Sequence, residues 1–99
     1  MFRDGISRDL INCAKDASSK SAEDKRALLM EASQAIEWGA KLVALSGLIV
    51  EEGALAGKLA SFAYGIEFRY DDETAEIMHE AAAAIRTLRL LLGLQRESY

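Results

Sequence analysis

The chain has no proline, a single cysteine, a single histidine and a single tryptophan among its 99 residues. Without proline, no helix is forced to break, so the apolar periodicity can be followed with only glycine and serine as punctuation. A lone Cys13 cannot form an intrachain disulfide. With no second Cys and only His79 elsewhere, it cannot head a zinc site either, and this pattern points to a reducing, cytoplasmic setting. The first residues, Met-Phe-Arg-Asp-Gly-Ile-Ser-Arg-Asp, carry charges where a signal peptide needs an apolar run, so export is not expected. Long hydrophobic runs are missing too. The most apolar stretch, Gly39 to Ile66, is interrupted by Lys41, Glu51, Glu52 and Lys58, which argues against a membrane span. Nor is there a basic excess. Twelve Lys and Arg against 16 Asp and Glu leave a net charge of −4, the wrong sign for sequence-independent contact with nucleic acid.

The composition that remains is globular. Half the residues (51%) are hydrophobic and 28% are charged, with mean hydropathy at zero, in a chain long enough for one core. The periodicity predicts an all-α domain over 1–99, a compact bundle of about four helices at 4–17, 21–47, 53–68 and 72–92. In the first, Ile6, Leu10, Cys13 or Ala14, and Ala17 share a face. Ser21, followed by Glu23 and Asp24, reads as the cap and acidic first turn of the second. Its buried stripe is Leu29, Ala32, Ile36, Ala40 and Val43, while Ala27, Glu31, Gln34, Trp38, Leu42 and Leu45 form an opposite face that turns apolar towards its end. The third carries Leu55, Leu59, Phe62 and Ile66 on one side and a ridge of Gly53, Gly57, Ser61 and Gly65 on another. Asp71 and Asp72 are read as the cap of the fourth, whose stripe is Ile77, Ala81, Ala84, Ile85, Leu88 and Leu92, with Gly93 as its stop. The segment Leu48 to Gly53 is an uncertain boundary, Leu94 to Tyr99 is expected to fray, and no internal repeat is evident.

Residues that could carry chemistry are few. His79 has Glu76 one turn back and Glu80 beside it, but one imidazole makes no metal site, and a single Glu-x-x-His copy does not make a di-iron bundle. Cys13 falls mid-helix on an apolar face, where a thiol packs rather than reacts. The Ser18 to Ser21 turn, with Lys20, Lys25 and Arg26 nearby, has the form of an anion-binding helix start, yet Glu23 and Asp24 already occupy that turn. No enzyme, no metal and no cofactor are therefore expected.

Two features stand out instead. Phe62, Tyr64, Phe68 and Tyr70, with Arg69 among them, gather four of the aromatic residues into nine positions. Either they close one end of the core or they form a contact surface of the residue types that dominate protein hot spots and stack on bases. As helix, Phe62, Ile66 and Tyr70 would prolong the stripe of Leu55 and Leu59, and this is the favoured conformation over an extended one. The second feature is surplus apolar surface: Trp38, Leu42 and Leu45 on the second helix and Leu90 and Leu91 on the fourth lie outside the main stripes. Either the second helix is central and sandwiched on both sides, or a homo-oligomer or foreign partner covers these faces.

Together these features predict a non-enzymatic protein-binding module, a small regulatory or inhibitory adaptor such as viruses and mobile elements encode. Its candidate binding residues are Trp38, Leu42, Leu45, Phe62, Tyr64, Phe68, Arg69 and Tyr70. The partner would be a second copy, another protein, or both, with neither nucleic acid nor membrane. The alternative is an oligomer that sequesters a small ligand or nucleotide by aromatic stacking, with Tyr64, Arg69 and Tyr70 as first contacts.

Overall fold

A computed structural model describes residues 2–47 and 52–93. Of the boundary segment Leu48 to Gly53, residues 48–51 lie outside the described residues, as does the tail from Leu94, while Glu52 and Gly53 open the third helix. Four α-helices are present: α1 (Ile6–Lys15), α2 (Ala22–Leu45), α3 (Glu52–Tyr64) and α4 (Asp71–Leu91), with single 3-10 turns at Ala17–Ser19 and Ile66–Phe68. There is no strand among the described residues.

Local chemistry accounts for the ends. Gly5, in the left-handed region at φ 85°, turns the chain into α1. The Ser21 hydroxyl accepts from the Asp24 N–H at 3.0 Å and caps α2, with Glu23 and Asp24 set against its dipole. Helix α4 begins one residue earlier than its acids suggest. Tyr70 is the N-cap, its backbone N–H donating to Glu73 Oε1 at 3.1 Å, and Asp71, Asp72 and Glu73 make up the first turn. Gly47 and Gly93, at φ 86° and 72°, follow the ends of the two long helices, as glycine does where a helix is stopped by a left-handed residue.

The two halves of the chain have the same architecture, which corrects the expectation that no repeat is present. A shift of 49 positions carries the 3-10 turn Ala17–Ser19 onto Ile66–Phe68, the last residue of α1 onto the last of α3, and the first residue of α2 onto the first of α4. The turn hydrogen bonds repeat as well. Asp16 N–H to Cys13 O (3.2 Å) matches Gly65 N–H to Phe62 O (3.2 Å), Lys20 to Ala17 (3.3 Å) matches Arg69 to Ile66 (3.2 Å), and Lys25 to Ser21 (3.1 Å) matches Thr74 to Tyr70 (3.0 Å). So does burial. Leu10, Ala14, Leu29, Ala32 and Ile36 are buried, as are their counterparts Leu59, Ala63, Met78, Ala81 and Ile85.

These halves interlock. Each short helix packs chiefly on the long helix of the other half, α1 on α4 and α3 on α2, and touches the long helix of its own half little. The two long helices run side by side in parallel. Lys25 near the start of α2 reaches Asp71 at the start of α4 (3.4 Å), and farther along, Gly39 faces its own counterpart, Leu88. A Cβ at Gly39 would stand 3.1 Å from Leu88 Cδ1 and 2.8 Å from Phe2 Cζ, so glycine lets the leucine of one half fill the space left in the other. The core therefore follows a pseudo-two-fold axis lying along α2 and α4. Parallel dipoles repel at their ends, and the acids of both first turns offset that cost.

One consequence of unequal lengths governs the rest of the surface. At 1.5 Å per residue the short helices reach about 15 and 20 Å while the long ones reach about 36 and 32 Å. The last turns of α2 and α4 thus stand clear of α1 and α3, and we call this end the tip.

Candidate functional site

The aromatic connector lies at the opposite end, where both long helices begin. Helix α3 stops at Tyr64, and a single 3-10 turn replaces the continuous helix that periodicity favours. The turn changes the phase of the side chains. Phe62 and Ile66 still point into the core, but Tyr70 does not, and Tyr64, Phe68 and Tyr70 are 86%, 87% and 74% exposed. They do not close the end of the core. Ile66 does so, in the place that Ala17 takes in the first half.

The first half provides an internal control for this segment. The positions equivalent to Tyr64, Phe68 and Tyr70 are Lys15, Ser19 and Ser21, which build the same turn with the same backbone hydrogen bonds. Folding does not require aromatic residues there. Three large rings in water, where a lysine and two serines suffice, are surface that the fold leaves unused.

Arg69 sits between them with its guanidinium over the Phe62 ring, 4.8 Å from the centroid, and 4.0 Å from Glu73. It borders a groove of about 350 Å³ between α3 and α4. The same 49-residue shift carries that groove onto one of about 510 Å³ between α1 and α2, wall for wall: Lys58 onto Asp9, Ser61 onto Asn12, Phe62 onto Cys13, Arg69 onto Lys20, Glu73 onto Asp24, Glu76 onto Ala27, Ile77 onto Leu28 and Glu80 onto Glu31. A base from the turn, two acids from the long helix and an apolar floor recur in both. The matched acids are neutralised from different places, Glu80 by Lys58 at 3.2 Å and Glu31 by Arg3 at 2.6 Å, because Asp9 stands where Lys58 would be. The Arg3 guanidinium is held charged even more firmly than usual by Glu31 and then Asp9, 2.8 Å away. Each groove is lined by more acids than bases, Glu73, Glu76 and Glu80 against Lys58 and Arg69 in the one and Asp9, Asp24 and Glu31 against Lys20 in the other.

The second group of candidates lies on the tip and its flank. Trp38 is 61% exposed beside Lys41, whose Nζ is 5.3 Å from the ring, and Leu45 is 84% exposed; Leu42, Leu90 and Leu91 are exposed with them. The central-helix alternative thus holds for one face of α2 alone. The structure divides the predicted residues: Tyr64, Phe68, Arg69 and Tyr70 lie in one seven-residue segment at the connector end, Trp38, Leu42 and Leu45 belong to the other end and its flank, and Phe62 is core.

The remaining candidates are occupied or ordinary. Lys25 and Arg26 of the possible anion site are taken by Asp71 and by Glu67 with the Ala63 carbonyl. Cys13 is buried, and burial first of all pushes its thiol pKa up. His79 is exposed, and no group of three or more metal-ligating side chains is present among the described residues. No helix of the described residues is long and apolar enough to cross a membrane. Sequence reasoning missed Met78, the fully buried counterpart of Leu29, and Ser33, whose hydroxyl donates to the Ala56 carbonyl at 2.7 Å inside the α2–α3 contact. No family model, curated protein or solved structure matches the chain.

Proposed function

We propose that this chain is a non-enzymatic protein-binding module that docks through the aromatic connector, Tyr64, Phe68 and Tyr70 with Arg69 between them. The observation that carries the reading is the contrast between the halves, for the same turn is made without any ring at Lys15, Ser19 and Ser21. Fully burying rings of this size removes about 150–250 Å² each, so three of them approach the roughly 800 Å² that one side of a standard interface uses. Such a protein acts by occupying a partner's surface, as regulatory and inhibitory adaptors do. It is a cytoplasmic protein in this reading and works without a cofactor. The tip, with Trp38, Leu42, Leu45, Leu90 and Leu91, is the surface for self-association.

Nucleotide sequestration is the weaker alternative, because Glu73, Glu76 and Glu80 line the groove next to Arg69 and would repel a phosphate. The test uses a variant bearing the first half's residues, Tyr64→Lys, Phe68→Ser and Tyr70→Ser. Proteins retained from a lysate of the source cells by the parent chain should be lost by this variant while its helical spectrum is kept. Retention of the same proteins by both would contradict the assignment of the connector.

A further inference from the structure

We infer that two copies of this chain associate by exchanging halves, each N-terminal half pairing with the C-terminal half of the other copy. The inference rests on the self-association part of the reading above and specifies its mechanism. Within one chain the halves already meet as separate subunits would. Helix α1 lies on α4 and α3 lies on α2, while each helix pair within a half is splayed. The contacts that hold the fold, including Gly39 against Leu88 and Lys25 with Asp71, run between halves, and a second copy offers them unchanged.

The tip supplies the second observation. The chain leaves the first half after Leu45, at the tip, and enters the second at Glu52, just below it, where a Cβ on Gly53 would stand 3.2 Å from Ala40 of α2. Residues 46–51 can span about 20 Å when extended, enough to join two globules set tip to tip. That arrangement brings the exposed Leu42, Leu45, Leu90 and Leu91 of one copy against those of the other. Exchange thus leaves every interlocking contact in place and covers the apolar end, with an aromatic connector free at each far end of the dimer. A short covalent link holds the intrachain partner at an effective concentration of order millimolar, so the closed monomer prevails in dilute solution and exchange competes as the chain is concentrated.

Two ion pairs of the native chain read the arrangement directly. Lys25 and Asp71 belong to different halves, whereas Lys58 and Glu80, 3.2 Å apart, belong to the same half. Equal amounts of unlabelled and ¹⁵N-labelled chain are unfolded together in urea, refolded at about 1 mM, the concentration scale set by the covalent link, and separated by size with light scattering. The dimer fraction is then treated with a zero-length carbodiimide and its cross-linked peptides are weighed. Half-exchange predicts that half of the Lys25–Asp71 links join a light to a heavy peptide while every Lys58–Glu80 link stays isotopically pure. A dimer in which the Lys25–Asp71 links are also pure overturns half-exchange and leaves self-association standing. Only monomer at every concentration overturns both.

Discussion

Replacing Phe68 and Tyr70 by serine, the residue found at both equivalent positions of the first half, should leave stability almost unchanged. Phe68 and Tyr70 keep 87% and 74% of their surface in water. Of roughly 200–250 Å² on each, the folded state hides only about 30 and 60 Å². At about 25 cal/mol per Å², the most that truncation can cost is about 2 kcal/mol. Part of that hidden area is backbone and Cβ, which serine retains. Serine at position 70 also becomes an N-cap able to accept from the Glu73 N–H, which here donates to Asp72 Oδ1 at 2.9 Å, as Ser21 accepts from Asp24 at 3.0 Å, and a good cap returns at most about 1 kcal/mol. The two effects nearly cancel, and we expect a net change within about 1 kcal/mol. Urea unfolding followed by circular dichroism at 222 nm measures it, since a slope near 1–1.5 kcal/mol per molar makes 1 kcal/mol a midpoint shift of about 1 M or less. A loss well beyond about 2 kcal/mol would mean that the rings hold the fold, and the reasoning from the duplicated turn would fail.

The buried positions should behave in the opposite way. Leu29→Ala removes a fully buried side chain at the centre of α2 and should cost about 2–5 kcal/mol in the same assay. Gly39→Ala places a methyl group 2.8 Å from Phe2 Cζ and 3.1 Å from Leu88 Cδ1 and should cost about 1–3 kcal/mol, with Phe2→Ala in the same chain recovering part of it. Ser33→Ala deletes the 2.7 Å hydrogen bond to Ala56 and should cost about 1 kcal/mol, while Ala82, its counterpart, shows that alanine fits the register. Cys13 should react slowly with a thiol reagent at pH 8 in the folded protein and fast in urea. Because burial raises its folded pKa, its contribution to stability is complete below the unfolded thiol pKa and fades as pH rises through the folded one, a fall above about pH 9 that Cys13→Ala should remove.

The long helices were legible because their periodicity is strong. Leu29, Ala32, Ile36 and Val43 on α2, and Ile77, Ala81, Ala84, Ile85 and Leu88 on α4, are buried as the 3.6-residue repeat predicts. The duplication was hidden for a physical reason. The halves share burial and geometry but few identities, among them Leu10 with Leu59, Glu31 with Glu80 and Ile36 with Ile85. Several other matches are alanines, such as Ala14 with Ala63 and Ala32 with Ala81, which alanine-rich helices produce in many registers. Packing asks only that a position be apolar and of workable volume, so Leu29 and Met78, or Ala17 and Ile66, serve alike.

The connector illustrates the limit of periodicity. Phe62, Ile66 and Tyr70 keep helical spacing, yet one 3-10 turn between Gly65 and Arg69 rotates Tyr70 out of the stripe. Nothing at the level of composition marks so short a change of winding. The cluster of aromatic residues was visible, but its exposure was not, since a ring that caps a core and a ring that awaits a partner look the same in sequence. Comparison of two turns in one chain distinguishes them. The fold can make this corner from lysine and serine, and at one of its two corners it carries tyrosine and phenylalanine instead.

The central claim is that those rings serve a partner. It is tested most directly by comparing what the parent chain and the Tyr64→Lys, Phe68→Ser, Tyr70→Ser chain each retain from the same lysate, with both shown to be folded. The account predicts a specific partner held by the parent and lost by the variant, at least tenfold weaker, which corresponds to about 1.4 kcal/mol. Equal retention by the two chains would contradict it.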